Sequence, residues 1–221
     1  MKDALIIGAS GGIGAALAAA LAADGWAVTG LSRKADGLDV TDPAAVERVL
    51  GALEGPFDAV WIALGILAPP GGAPEKALAA IEAEAMAHVM AVNAIGPALI
   101  LRHVPRLLRR DAPGLVAVLS ARVGSIGDNR IGGWHSYRAS KAALNQIVRG
   151  AAVELGRTHR QAVCVALHPG TVATPFTAAY AGRHPTVAPE VAAENLIRVT
   201  SGLAPAQSGR FFDYSGAEVP W

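Results

Sequence analysis

Two groups of residues carry side chains or backbone spacing suited to chemistry. The first is Tyr137-Arg138-Ala139-Ser140-Lys141. Residues four apart share one face of a helix. Lys141 is therefore expected beside the Tyr137 phenol, where its charge favours phenolate and lowers a pKa ordinarily about 10. Tyr137 then serves as a general acid or base near neutral pH. Alone, this spacing usually marks an incidental tyrosine and a solvated lysine. The second group is Gly8-Ala9-Ser10-Gly11-Gly12-Ile13-Gly14, which follows the apolar run Leu5-Ile6-Ile7. Glycines at this spacing give a tight turn, let backbone approach a pyrophosphate, and let helix and strand pack closely. The helix N-terminus that follows offers free N–H groups to phosphate. The Lys-Ser/Thr of a nucleoside triphosphate loop is missing. Joined to a dinucleotide fingerprint, the Tyr137–Lys141 spacing becomes a strong signal.

The end of the second apolar strand decides which dinucleotide. An acidic residue there suits the ribose 2′-hydroxyl of NAD, and a basic one suits the 2′-phosphate of NADP. The chain reads Gly30-Leu31-Ser32-Arg33-Lys34. Ser32 holds the acidic position, Arg33 offers a fork-shaped donor, and Asp36 and Asp39 come too late to occupy that corner. This favours NADP(H) over NAD(H).

These groups need a scaffold. Short apolar runs alternate with helical segments: strands at Ala4–Ile7, Ala27–Leu31, Leu38–Val40, Asp58–Leu64, Leu115–Ser120, Ala162–Leu167 and Arg210–Tyr214. Helices are expected at Ile13–Ala23, Asp42–Leu53, Glu75–Leu108 (broken near Gly96-Pro97), Ser136–Gly156 and Pro189–Ser201. Continuous apolar strands between helices mean parallel pairing with both faces covered. The expected fold is a doubly wound α/β parallel sheet of Rossmann type, one domain over residues 1–221. The irregular stretch Thr174–Ala188 follows a strand end, where open α/β sheets bind ligands.

Composition removes other classes. Of 221 residues, 52% are hydrophobic and 17% charged, which excludes wholesale disorder. A net charge of +1 gives no electrostatic case for nucleic acid or an anionic membrane. One cysteine, Cys164, excludes an internal disulfide framework, and the six histidines form no helical zinc pair, so no metal is expected. The apolar stretch Ala15–Ala23 is too short to span a bilayer, and no signal peptide is visible. A cytoplasmic location is the expectation. Arg102, Arg106, Arg109 and Arg110 form a stripe read as a solvated helix face.

With these motifs in place, the chain resembles the short-chain dehydrogenase/reductase family over nearly its full length. Leu119–Ile126 and the ending Pro220-Trp221 resemble its C-factor-like branch. The family's Thr-Gly-x-x-x-Gly-x-Gly element falls on Ile7–Gly14, with Ile7 in place of Thr. Its adenine-contacting Asp-Val falls on Asp39-Val40, and its active-site asparagine on Asn93. Its Pro-Gly-x-Val-x-Thr, which contacts the nicotinamide carboxamide, falls on Pro169-Gly170-Thr171-Val172-Ala173-Thr174. The resemblance implies that Tyr137 exchanges a proton with the substrate oxygen. It implies that Lys141 holds the nicotinamide ribose. It implies that Asn93 kinks its helix and fixes a water linking Lys141 to solvent. It also implies a homodimer or homotetramer through the long helix before the fifth strand and the Tyr-Lys helix, where Ala142, Ala143, Ala151 and Ala152 permit close approach.

The match fails at three points. Asn-Asn-Ala-Gly appears as Ile62-Ala63-Leu64-Gly65, keeping only Gly65. The usual Ser-Ser pair reads Ser120-Ala121, leaving Ser120 and Ser125 as candidates for the missing hydroxyl. The helix after the second strand is absent, so Leu38–Val40 is at most a short edge strand. Trp134, Phe176 and Tyr180 are expected near the substrate, with His135 beside them. The sequence thus reads as an NADP-preferring carbonyl reductase or alcohol dehydrogenase acting on a small or medium substrate. The Ala121 departure supports the alternative of a dinucleotide-binding signalling or regulatory protein with little turnover. A nucleotide-sugar epimerase or dehydratase also uses Tyr-x-x-x-Lys, but too few residues follow Lys141 for its substrate lobe.

Overall fold

The computed structural model describes residues 1–177 and 186–221. Its elements are β1 (Asp3–Ile7), α1 (Gly12–Ala23), β2 (Ala27–Leu31), the single turn α2 (Arg33–Asp36), α3 (Pro43–Gly51) and β3 (Ala59–Ile62). Next come α4 (Ala83–Met90), a π-helical turn at Ala91–Ile95, α5 (Gly96–Leu101), the short α6 (Val104–Leu107) and β4 (Gly114–Leu119). The chain ends with α7 (His135–Thr158), β5 (Ala162–His168), α8 (Pro189–Ser201) and β6 (Phe211–Asp213). The six strands form one sheet, ordered β2-β1-β3-β4-β5-β6, with every named pair parallel. This is the doubly wound α/β architecture.

Alternation along each strand divides the core. Leu5, Ile7, Val116, Cys164 and Ala166 face α3, α5 and α7, meeting Val46, Ile100, Leu144 and Val148. Ala4, Ile6, Trp61, Val163 and Val165 face α1 and α8, meeting Leu17, Leu21 and Leu196. Side chains that alternate across a pleated strand produce this split.

Leu38–Val40 is loop, not strand. Ser32 caps α2, Gly37 ends it in the left-handed region (φ 66°), and too few residues remain for a parallel crossover. Leu38 and Val40 are nevertheless buried, and the loop lies against the helical layer. A Cβ on Gly96 would stand 2.8 Å from Val40 Cβ and 3.1 Å from its carbonyl oxygen, so glycine is required there. The break in the long helix is the π-helical turn around Asn93, with Gly96-Pro97 opening the next α-helical segment. The Ala83–Leu101 stretch is also long and apolar enough to cross a membrane, unlike Ala15–Ala23; here its α4 portion lies against α7.

The arginine stripe does structural work. Arg102 Nη2 meets Glu47 at 2.5 Å, Arg106 donates to the Leu50 and Leu53 carbonyls, and Arg109 pairs with Asp58 at 2.7 Å. Ala152, expected on a subunit surface, instead points into the core.

Candidate active site

The C-terminal ends of β1, β3, β4 and β5 open onto one cavity of about 700 Å³. The glycine turn forms one wall, and the first turns of α7 carry Tyr137 and Lys141 on another. Gly8 adopts φ 93°, and a Cβ there would lie 2.4 Å from Ala63 O. A Cβ on Gly14 would lie 2.1 Å from Gly8 O, which is backbone and has no side-chain freedom to yield. Gly14→Ala is therefore expected to cost roughly 2–3 kcal/mol. Thermal unfolding with and without NADPH should show both a lower midpoint and no cofactor-induced rise.

The residues present fit a dinucleotide. No side chain caps α1 at Gly11, and Ser10, Gly11, Gly12, Ile13 and Gly14 all line the cavity. An uncapped helix N-terminus facing an open cavity offers its N–H groups and positive dipole end to phosphate. Opposite it, Pro169, Gly170, Val172 and Thr174 line the same space. A Cβ on Gly12 would meet Thr174 Cγ2 at 2.7 Å, so the two loops close against one another. Val172 bridges Val187 in parallel. Tyr180 lies outside the described residues.

At the adenosine corner, one expectation is corrected. Asp36 reaches back along α2, and its Oδ2 accepts the Ser32 N–H at 2.7 Å. A carboxylate thus stands at the end of β2, because a single helical turn returns Asp36 to its cap. Ser32 Oγ accepts the Ala35 N–H at 3.1 Å, while Arg33 and Lys34 enter no ion pair among the described residues. Asp39 binds the Thr41 N–H and hydroxyl through Oδ1, at 2.9 and 2.6 Å. The Thr41 side-chain and backbone bonds hold its carboxyl below the ordinary range.

Tyr137 and Lys141 are buried, 6% and 2% exposed. Lys141 Nζ donates to Leu119 O at 2.9 Å and Leu64 O at 3.4 Å. Burial brings the amine down to about 7 and pushes the Tyr137 phenol up. In this state burial, not the neighbouring cation, dominates the phenol, which is therefore held in its protonated, donating form. The Tyr137 ring stands edge-on to Trp134 and to Phe176, each with centroids 6.1 Å away. These two rings give the cavity an aromatic wall around the phenol.

Asn93 is fully buried at the π-helical turn. Its Oδ1 accepts the Ile66 N–H at 2.8 Å, and its Nδ2 donates to Ile66 O at 2.8 Å and Ser140 Oγ at 2.9 Å. Ser140 in turn donates to Tyr137 O at 2.8 Å. Asn93 therefore ties the segment after β3 directly to the Tyr137 turn. Gly65 sits between these groups: a Cβ there would lie 3.3 Å from Lys141 Nζ and 3.4 Å from Asn93 Oδ1.

Neither candidate serine offers a free hydroxyl to the cavity. β4 ends at Leu119, just before Ser120, and Ser120 Oγ donates to Asn145 Oδ1 at 2.6 Å. Ser125 Oγ accepts the Asp128 N–H at 3.1 Å, and the residue is not on the cavity wall. The Ala121 methyl is on that wall.

Sequence reasoning missed Glu75, Ser140, Asn145 and His168. Ser140 lies inside the Tyr-x-x-x-Lys motif, and Asn145 continues its i, i+4 row. Glu75 gave no local signal, because its partner is distant in sequence. Its carboxylate accepts the Ser136 N–H at 3.2 Å and the Ser136 hydroxyl, and its carbonyl accepts the Trp134 N–H. Among the described residues, no cluster of three His, Cys, Asp or Glu is placed to hold a metal.

A Rossmann-type sheet, a glycine turn at an open helix N-terminus and a buried Tyr–Lys pair across one cavity define a dinucleotide-dependent oxidoreductase. Residues 8–202 match a family model described as enoyl-(acyl carrier protein) reductase. The C-signal of Myxococcus xanthus is 39% identical over 145 residues, covering 66% of this chain and 84% of that protein. The 1-hydroxy-2-glutathionyl-2-methyl-3-butene dehydrogenase of a Rhodococcus species is 32% identical over 188 residues, covering 84% and 79% respectively. A solved carbonyl reductase from Pseudomonas aeruginosa in complex with NADP superposes over 100% of both chains, with a TM-score of 0.82 and 28% identity. The chain belongs to the short-chain dehydrogenase/reductase family, NAD(P)-dependent oxidoreductases acting on CH–OH and C=O groups.

Proposed function

We propose that the protein is an NADP(H)-preferring reductase of a small or medium ketone or aldehyde, running in reverse on the secondary or primary alcohol. The observation that carries this reading is the buried Tyr137, one turn from Lys141 on α7, lining the same cavity as the uncapped α1 N-terminus. Bound nicotinamide supplies or takes the hydride. Tyr137 gives the substrate oxygen its proton. Lys141 holds the cofactor ribose and the charge near the phenol, and Asn93 fixes the turn that carries them. Gly8, Ser10, Gly11, Gly12, Ile13 and Gly14 cradle the pyrophosphate, while Asp39 and Val40 flank the adenine. Gly65, Pro169, Gly170, Val172 and Thr174 border the nicotinamide side. Trp134 and Phe176 receive the apolar body of the substrate. The expected test is NADPH oxidation monitored with a panel of ketones and aldehydes.

Cofactor preference rests on Arg33 and Lys34, set against the Asp36 carboxylate. Arg33→Ala should weaken NADPH binding roughly 10-fold or more, the worth of a charge-assisted phosphate bond. NADH binding should change less than about 2-fold. Equal losses, measured by fluorescence titration, would overturn the preference.

A second reading is a dinucleotide-binding regulatory protein, favoured by the Ala121 methyl where a hydroxyl is usual. Tight NADPH binding without turnover on the whole panel would support it. Homo-oligomerisation through α4–α5 and α7 is also proposed, supported by the exposure of Ile95 and Val153 on those elements. A light-scattering mass tests it.

A further inference from the structure

We propose that His168 binds the reacting carbonyl oxygen beside Tyr137, supplying the hydrogen bond that Ala121 cannot. The inference rests on the carbonyl-reductase reading above. A carbonyl oxygen gaining negative charge needs more than one donor, and each preorganised donor contributes to the rate. Ala121 has none, the Ser120 hydroxyl donates its hydrogen bond to Asn145 Oδ1, and Ser125 lies off the cavity.

Strand register places His168 at the right level. Leu119 pairs with Leu167, and the Ser120 N–H donates to Leu167 O at 2.7 Å. His168 is thus the β5 neighbour of Ser120, one residue from Ala121, on the α7 side of the sheet. It lines the same cavity as Ala121 and Tyr137. Its Nδ1 is buried and has no hydrogen-bond partner among the described residues, so that nitrogen is not used to hold the fold. Two other polar groups on this wall are engaged: Arg122 Nε bonds Asp128 at 2.5 Å, and the Thr177 hydroxyl donates to Val172 O.

The charge state suits the task. His168 faces Asp213, its register partner on β6, as well as Arg122 and the edge of the Tyr214 ring at 6.4 Å. Burial brings its pKa down to about 4; Asp213 acts against this and Arg122 with it. The ring is therefore neutral at ordinary pH, with one N–H to donate. A neutral imidazole polarises a carbonyl without competing with Tyr137 to deliver the proton.

The test uses the full chain with NADPH and the best ketone of the panel. His168→Ala should lower kcat roughly 10- to 100-fold, with KM and the NADPH dissociation constant changed by less than about threefold. His168→Gln, which keeps a donor, should retain most of the rate and serves if the alanine variant does not fold. Adding Ala121→Ser to His168→Ala should restore at least about tenfold, more than the same serine gives in the wild-type background. Unchanged kcat in His168→Ala, or an equal serine gain in both backgrounds, would overturn the proposal while leaving a Tyr137-dependent reductase intact. A wild-type protein that binds NADPH but turns over no carbonyl would instead remove the underlying reading, and this proposal with it.

Discussion

Tyr137→Phe is expected to lower kcat/KM for carbonyl reduction by about 10³-fold while NADPH binding changes less than about twofold. The hydroxyl is the only atom removed. The ring remains wedged between Trp134 and Phe176, so the aromatic wall survives. Among the described residues the Tyr137 hydroxyl makes no hydrogen bond whose loss would loosen α7, which is held through Ser140 and Asn93 instead. Because the hydroxyl proton is exchanged only in the transition state, kcat should carry the loss and KM should stay nearly constant. Stopped-flow oxidation of NADPH with saturating ketone measures it. Turnover within tenfold of wild type would exclude Tyr137 as the proton donor and move the search to His168.

Lys141→Met should abolish measurable turnover, yet leave the fold at least as stable below neutral pH. The amine sits in a low-dielectric site with two backbone carbonyls and, among the described residues, no carboxylate in bonding reach. Methionine removes the cost of burying that charge, although Leu119 O then loses its donor at about 1–3 kcal/mol. The two effects oppose, so the thermal midpoint should move by only a few degrees, roughly within the range of 1 kcal/mol. The pH dependence gives a sharper test. Lys141 has a folded pKa near 7 against 10.5 for an ordinary lysine. Between those values the unfolded chain binds the extra proton, so stability rises with pH across that window. Below pH 7 both states are protonated and the burial cost is fully present. Denaturant unfolding from pH 7 to 10 should therefore show the wild type gaining on Lys141→Met. Parallel curves would mean that the amine is not desolvated as described.

The scaffold was readable because its signals are local and periodic. Apolar runs at β1, β2 and β5 and the start of α8 at Pro189 announce themselves through composition and helix-start chemistry. Leu38–Val40 misled because burial in a loop and burial in a strand select the same apolar residues. The one-turn α2 escaped notice because four residues carry no period, and with it went the return of Asp36 to Ser32. Tyr137, Lys141 and the glycine turn were legible because each needs a residue type that few structural roles demand. His168 and Asn145 were not, since strand and helix neighbours across the sheet leave no spacing rule in the chain. Ser120 was misjudged in a different way. It sits just past the strand end, but its hydroxyl is bonded to a buried amide.

Glu75 carries a consequence of its own. Burial works against its charge, but the Ser136 hydroxyl and backbone bonds hold its carboxyl below the usual value. It anchors the opening turn of the Tyr137 helix from sixty-one positions upstream. Acidification through its titration, below the ordinary carboxylate range, would release that anchor after Lys141 has already taken up its proton near pH 7. Part of the protein's sensitivity to acid thus falls to a side chain off the cavity wall, and substitutions there would pass for catalytic defects in any screen that reads rate alone.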